Sequence, residues 1–360
     1  MKILEVINSL SYRGGAQTLF AHLCEELSKI NEEPIHLLVL YDRVDDSFDF
    51  LKKKNNIVFH TIDKRSSFDF KAAKKLKSLI EEISPDVINF HLSFLPTYFL
   101  AFGFKRRSWK LIKTYHSIPN KDTNKFDIFL QKRYVKKEML SFIGISENIT
   151  LISKKFYPHA EIKTINNGVI PFEANNQKNT KEYDFVIVAS FTEVKNHKLL
   201  FDAFEKYLVN KPNAKLLCIG DGVLLKRYMD LVKEKKMENN IIFAGNQNDV
   251  YSFLMISKVF VLSSLREGNP ISILEALSVG LPVIAPRIGG IPDIIEERIN
   301  GLLYNCNNEA ELLDNMVKIN ESNLFNQISF NNLEKSKRFL ISQTAFEYLE
   351  YFNSLKCKWL

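Results

Sequence analysis

Three charged side chains have the types and spacing to do chemistry. In "REGNPISILEAL" (266–277), Glu267 stands in a Gly/Pro loop and Glu275 follows eight positions later inside an apolar run. Asn269 suits the cap of a helix there and Pro270 its first turn. Ile271, Ile273, Leu274 and Leu277 leave that helix little face for water. Glu275 then sits more than a turn inside a largely buried helix, where a carboxylate is costly unless something satisfies it. In "SFTEVKNHKLL" (190–200), Lys195 precedes a helix that starts near Asn196 or His197. A lysine beside free helix amides suits a phosphate, although a surface lysine fits the same pattern.

Two diglycines extend the theme. "GGAQ" (14–17) opens a helix after the first strand, and "RIGGIPDII" (287–295) places Gly289 and Gly290 ahead of a helix with Pro292 in its first turn. Such starts let backbone amides approach an anion, but neither is a dinucleotide fingerprint or a P-loop. "TYHS" (114–117) ends a strand on His116; a lone histidine there is more often a packed core residue, and His91, which ends the preceding strand in the same way, adds some weight to a polar pocket. "GISE" (144–147), "NNG" (166–168) and "GDG" (220–222) read as turns. Amides and a lysine at helix starts suit a diphosphate, and a buried carboxylate beside it would accept the two hydroxyls of a ribose diol. Those are the needs of a nucleotide-sugar site.

The elements that must position these residues alternate between strand and helix. Apolar runs at 2–8, 35–41, 86–91, 110–116 and 141–146 form one series, and 183–190, 214–220, 240–245, 258–264 and 281–286 a second. Helical patterns lie between them, for example at 16–30 and 67–83, and also at 307–319 and 342–356. This is the signature of parallel sheets covered on both faces. The polar stretch 171–182 reads as a linker. The expected architecture is α/β: a first doubly wound, Rossmann-like domain over 1–170 that takes the acceptor, a nucleotide-sugar domain over 183–340, and a terminal helix over 341–360 that packs back on the first domain. Ligands of such sheets bind beyond the carboxyl ends of the strands, so a cleft between the domains is expected to hold them.

Composition narrows the class. The chain has 360 residues, 46% hydrophobic and 25% charged, which fits a globular protein of two domains. Cys24, Cys218, Cys306 and Cys357 have neither metal nor redox spacing and read as reduced, buried thiols. No signal peptide or transmembrane run is expected, since the longest apolar run, 94–104, is short and holds Pro96. The net charge of +7 belongs to the first half, which carries 28 Lys/Arg against 20 Asp/Glu. "KAAKKLK" (71–77), "KRRSWK" (105–110) and "QKRYVKK" (131–137) mix with Trp109, Tyr134, Phe102 and Phe104, which suits an anionic membrane surface or a solvated helix face. No nucleic-acid module is present, so no nucleic-acid partner is expected.

At these residues the chain resembles glycosyltransferase family 4, the retaining transferases of GT-B fold. The stretch "EGNPISILEALSVGLPVIAPRIGG" (267–290) is similar to the family's signature of two glutamates with seven residues between them, a Gly-Pro-Val strand and a Gly-Gly turn. "NNGV", "KNH", "GDG" and "FAG" follow in the family's order, and "GGAQ" and His116 match more loosely. The resemblance covers nearly the whole chain and is weakest at 40–85 and after 305. It implies that Gly15 and the amides at Gly289 and Gly290 approach the donor, and that His116 contacts the donor sugar. Lys195 would neutralise the leaving diphosphate. Glu267, with Gly268 and Asn269, would meet the sugar, and Glu275 the ribose diol. His116, Lys195 and Glu267 are the implied catalytic residues. Two departures stand out: Ser190 occupies the place of the family's usual arginine, leaving Arg266 or Arg287 to supply a second cation, and Asp293 replaces a glutamate. The implied activity is a hexosyl transfer from a nucleoside-diphosphate sugar to a saccharide or lipid-linked acceptor in cell-surface polysaccharide synthesis. It needs no metal or other cofactor and is placed in the cytoplasm, at the inner face of the membrane. The alternatives are a non-catalytic sugar-nucleotide-binding scaffold and a GT-B sugar-nucleotide epimerase.

Overall fold

A computed structural model describes residues 1–10, 14–41, 44–66, 69–119, 123–172 and 180–357, with the side chains of 356 and 357 excepted. Residues 173–179, most of the expected linker, lie outside the described set. The chain divides into two compact units: Met1–Ile170 with Ile341–Leu360, and Pro171–Leu340.

The first unit is built on seven strands: β1 (Ile3–Ile7), β2 (Ile35–Val39), β3 (Ile57–Thr61), β4 (Val87–His91), β5 (Lys110–Tyr115), β6 (Leu140–Gly144) and β7 (Ile162–Thr164). They form one sheet in the order β3-β2-β1-β4-β5-β6-β7, with every pairing parallel. All five residues of β1 and of β4 are buried, because helices cover both faces of the central strands. Helix α1 (Gly15–Ile30) presents Leu19, Phe20, Leu23, Cys24 and Leu27 to one face at helical spacing. On the other face, α2 (Phe70–Ile83), α3 (Leu95–Phe102), α4 (Lys125–Lys136) and α5 (Glu147–Phe156) surround a core that includes Leu76, Phe90, Tyr98, Tyr115, Leu130 and Phe142.

The second unit has six strands: β8 (Tyr183–Val188), β9 (Leu216–Ile219), β10 (Ile241–Gly245), β11 (Ser257–Val261), β12 (Val283–Pro286) and β13 (Gly301–Tyr304). Their order is β10-β9-β8-β11-β12-β13, again parallel throughout. The helices that matter for the site are α6 (His197–Leu208), α7 (Leu225–Glu234), α8 (Val250–Met255), α9 (Ile271–Ser278) and α10 (Ile291–Ile294), followed by α11 (Glu309–Lys318) and α12 (Ser322–Ser336). In both sheets the strand order reverses beside the first strand of the unit, at β1/β4 and at β8/β11. Loops leaving those strands diverge and open a crevice at the carboxyl ends.

The last helix, α13 (Ile341–Cys357), belongs to the first unit and packs on α1. Its start is tied to the "NNG" turn: the Ile341 amide donates to the Val169 carbonyl at 2.9 Å, and Thr344 Oγ1 donates to the Asn166 carbonyl at 3.1 Å. A Cβ on Gly168 would lie 2.6 Å from Ile341 Cα, so only glycine allows this approach.

Strands β3, β7 and β13 and helix α12 have no counterpart among the sequence expectations. Each of these strands is at a sheet edge or its neighbour, and β7 is three residues long. Helix α12 has its apolar residues spread among polar ones and buries only Ile328, Asn332 and Ser336. Of the cysteines, Cys24 and Cys218 are buried thiols, but Cys306 is exposed. Among the described residues, no helix is long and apolar enough to cross a membrane.

Candidate functional site

The charged residues of the second unit converge at its strand-order reversal. Lys195 comes from the loop after β8 and Glu267 from the loop after β11, the two strands that flank the switch. Lys195 Nζ lies 2.7 Å from Glu267 Oε1, with the lysine side chain 25% exposed and the glutamate 9%. Sequence patterns alone assign these two groups separate tasks; the structure pairs them.

Backbone contacts hold the pair in place. After β8 the chain makes a short 3₁₀ turn, Glu193–Lys195, then passes through Asn196 at φ +47° into α6. Asn is among the few residues that adopt this left-handed conformation readily. Ser263 Oγ donates to the Lys195 carbonyl at 2.9 Å, and the Leu265 amide to the Val194 carbonyl at 2.8 Å. Beneath the turn, the Phe191 ring stacks on buried His197 at 4.1 Å. The "GDG" turn closes from the side: the Phe191 amide donates to the Asp221 carbonyl, and a Cβ on Gly220 would lie 2.2 Å from the Ala189 carbonyl oxygen.

The second diglycine braces Glu267. Gly289 sits at φ +53°, and a Cβ there would lie 1.9 Å from the Glu267 carbonyl oxygen. The Gly290 amide donates to the Gly268 carbonyl at 3.0 Å. Lys195, Glu267, Gly268, Gly289 and Gly290 therefore form one cluster. Asn269 is buried beside it but does not cap the next helix: α9 starts at Ile271, its N-cap is Pro270, and no side chain caps it. The helix begins one residue later than an Asn269 cap requires.

Glu275 lies in the middle of α9. Part of its side chain meets solvent, yet burial of the carboxyl pushes it up to about 7. The Tyr251 phenol of α8 is also pushed up, first by burial and then by the Glu275 charge. Glu275 is thus a half-buried carboxyl whose anion is disfavoured by burial.

The candidates for a second cation, Arg266 and Arg287, flank this cluster in sequence. Ser190 is exposed, and its carbonyl accepts from the Thr192 amide. Arg287 pairs with Glu297 at 3.0 Å, and Arg266 is exposed. Arg227 of α7 reaches Glu193, next to the Lys195 turn, at 3.9 Å, and both side chains are mostly exposed. Sequence reading missed Arg227, because a lone arginine on a polar helix carries no signal.

In the first unit, Gly15 is exposed at the first position of α1, with Gly14 as N-cap and no capping side chain, so the helix amides there face outward. His116 follows β5, and its Nε2 lies 2.7 Å from His91 Nδ1. Behind His91 stand Asn89 and Glu5, both fully buried. Glu5 was not identified from the sequence; a single acid in the apolar run "KILEVIN" was the available signal. Among the described residues no group of three His, Cys, Asp or Glu is placed to hold a metal ion.

Residues 13–171 match the family model described as Glycosyltransferase Family 4, and residues 171–338 that described as Glycosyl transferases group 1. The chain is similar to N-acetyl-alpha-D-glucosaminyl L-malate synthase of Bacillus anthracis, 26% identical over 73% of this chain and 74% of that one. It is also similar to the UDP-Gal:alpha-D-GlcNAc-diphosphoundecaprenol alpha-1,3-galactosyltransferase of Escherichia coli, 26% identical over 57% of this chain and 51% of that one. Among solved structures, the fold matches Anabaena Alr3699/HepE in complex with UDP and glucose, with a TM-score of 0.81 and 16% identity over 98% of this chain and 100% of that one.

Two outcomes follow from the geometry. Gly289→Ala should destabilise the protein by about 3 kcal/mol or more, because it adds a backbone clash to left-handed strain. Gly245→Ala, at φ +68° with open space around its Cβ, should cost only about 1–2 kcal/mol; denaturant titration of both variants checks the difference. For Glu275, the folded carboxyl holds its proton to higher pH than the unfolded one, so its contribution to stability is lost as pH rises from about 4.5 to about 7. Glu275→Gln should match wild type at pH 4.5 and exceed it above pH 7 by about 2 kcal/mol, a figure reduced because solvent reaches part of the side chain. Equal pH slopes in the two proteins would refute this.

Proposed function

We propose a donor, an acceptor and a mechanism for this chain, which belongs to glycosyltransferase family 4 and is a glycosyl-transferring enzyme of GT-B fold. The donor is a nucleoside-diphosphate sugar held at the Lys195–Glu267 cluster. The observation that carries this reading is the braced ion pair on the Gly289–Gly290 turn. The cluster satisfies its own cation with its own carboxylate. A diphosphate arriving at the switch point offers Lys195 a stronger anionic partner and releases Glu267 to accept hydrogen bonds from sugar hydroxyls.

Transfer breaks the bond between the anomeric carbon and the diphosphate oxygen, and both bonding electrons leave with the diphosphate. Lys195 stabilises the charge that grows there, together with backbone amides at Gly289 and Gly290; preorganised stabilisation of this kind usually contributes most to lowering the barrier. Glu275 accepts the ribose diol. The acceptor enters on the face the diphosphate leaves, so configuration is retained and no protein nucleophile is assigned. Because Lys195 and amides supply the positive charge, the mechanism calls for no metal. UDP is the first nucleotide to test, since the Anabaena structural neighbour was crystallised with UDP and glucose and the E. coli relative is named for UDP-Gal.

The acceptor is a lipid-linked saccharide of a cell-surface polysaccharide, reached at the cytoplasmic face of the membrane. The names of the relatives span both L-malate and a diphosphoundecaprenol acceptor. Helix α4 favours the lipid. Lys125, Phe126, Phe129, Lys132, Arg133 and Lys136 are exposed along it at helical spacing, and its only acid, Asp127, is buried. Apolar rings set among cations suit an anionic bilayer surface.

A thermal-shift screen with UDP, GDP, ADP and their sugars tests the donor. One nucleotide should raise the melting temperature by a few degrees at about 100 times its Kd. Lys195→Ala and Glu275→Ala should each weaken that nucleotide by tenfold or more. No shift with any nucleotide would sink the reading. For the acceptor side, the protein should sediment with phosphatidylglycerol vesicles but not with phosphatidylcholine vesicles. Phe126→Ser/Phe129→Ser should abolish this binding; equal binding by the double variant would refute the role of α4.

A further inference from the structure

The basic stretch "KRRSWK" (105–110) has no part in the transfer proposed above. It borders a cavity of about 260 Å³ in the first unit, whose lining includes Tyr98 of α3, Arg106, Arg107, Trp109, Lys110 and Glu138. The cavity lies at the amino ends of β5 and β6, where α3 and α4 finish. Ligands of such sheets bind at the opposite, carboxyl ends. The six residues of β5 alone span about 20 Å. The cavity is therefore separate from the crevice at the β1/β4 reversal.

Arg107 is its central group. The guanidinium lies 5.1 Å from the centre of the Phe102 ring and 5.8 Å from that of Trp109. Its Nε is buried without a hydrogen-bond partner, and no ion pair neutralises the side chain among the described residues. The acid of the lining, Glu138, stands 3.7 Å from Arg106 instead. Ring contacts offset only part of the cost of drawing an unpaired charge out of water. Arg107 is not needed as a helix cap either, because the neighbouring helix ends are already closed. Tyr134 Oη donates to the Gly103 carbonyl at the end of α3, and the Glu138 and Met139 amides donate to the Val135 and Tyr134 carbonyls at the end of α4. Beside Arg107, Trp109 Nε1 donates to Tyr98 Oη at 2.9 Å, which leaves the phenol its own proton to donate. Burial pushes Tyr98 up to about 12, the Trp109 bond and the Arg107 charge opposing in part, so that proton stays in place at neutral pH.

We propose that this cavity is a second anion site that takes a phosphate ester, with Arg107 supplying the charge and the Tyr98 hydroxyl a hydrogen bond. A guanidinium presents its N–H groups in a planar fork that matches two phosphate oxygens, and the Phe102 and Trp109 rings hold that plane in place. Three cations against one acid in the lining suit the nearly double charge of a phosphate monoester better than the single charge of a carboxylate. A free ester, such as a sugar phosphate, and a lipid headgroup offer this same group. The site needs neither the donor at Lys195 nor the exposed rings of α4.

The chain has two tryptophans, Trp109 and Trp359, so in a Trp359→Phe background the emission reports on this cavity alone. Glycerol phosphate is titrated into the full chain at constant ionic strength, and phosphatidic acid vesicles are titrated beside phosphatidylcholine vesicles. The expected result is a saturable change in Trp109 emission with at least one of the two phosphates, and none with sodium chloride or phosphatidylcholine. Arg107→Gln should weaken that binding tenfold or more, and Tyr98→Phe severalfold. A response to both phosphates assigns the site to phosphate esters in general, to the vesicles alone a lipid headgroup, and to glycerol phosphate alone a soluble ester. No saturable response to either, or equal affinity in Arg107→Gln, would overturn the proposal. Should Arg107→Gln fail to fold, Arg107→Lys keeps the charge without the fork and should bind severalfold more weakly; unchanged affinity there is equally fatal. Phe126→Ser/Phe129→Ser should keep the glycerol phosphate response if wild type shows one, and Arg107→Gln should keep the nucleotide thermal shift. Failure of the donor reading and failure of this one therefore appear in different signals.

Discussion

The ion pair between Lys195 and Glu267 depends on one close backbone approach. The Gly289 turn lies against the Glu267 carbonyl at a distance that admits no Cβ. That contact fixes the main chain of Glu267, and the Ser263 and Leu265 hydrogen bonds fix the main chain around Lys195. With both backbones held, the 2.7 Å pair needs only its two side chains ordered, which limits the entropy lost in forming it. The pair is also partly exposed, so it is weak enough to exchange partners. A fully buried pair would be costly to break, and a fully exposed one would hold no geometry.

Much of this was legible in the sequence, for identifiable reasons. "REGNPISILEALSVGLPVIAPRIGG" combines glycines, prolines and acids whose constraints are local: tight turns, a helix start, a carboxylate in an apolar helix. Parallel sheets follow from apolar runs separated by helical patterns, and the central strands lie where those runs are. The edge strands β3 and β7 escaped because each is partly solvated and its composition resembles that of a loop, and β13, though buried, is only four residues long. The pairing of Lys195 with Glu267 escaped because it joins residues 72 positions apart through three loops. No local pattern encodes that distance.

Glu5 illustrates a different limit. It is one acid in a strand of aliphatic residues, and nothing in its neighbourhood says that its partner is Asn89, 84 positions away. His91 and His116 were visible as two strand-ending histidines, but that they touch depends on the β4–β5 register. The two units thus solve related problems differently. The second keeps a charged pair near the surface, where a ligand can divide it. The first buries a carboxyl against Asn89 and a pair of histidines in contact. Both devices stand beside the reversal of strand order, where diverging loops leave room for a ligand.

The most direct test of the central claim is calorimetric binding of UDP, GDP and ADP to wild type, Glu267→Gln and Lys195→Met. If the diphosphate must take Lys195 from Glu267, the nucleotide that binds should bind Glu267→Gln severalfold more tightly than wild type, and Lys195→Met hardly at all. Equal affinity in all three proteins would show that the ion pair is a structural bridge and that the diphosphate is held elsewhere.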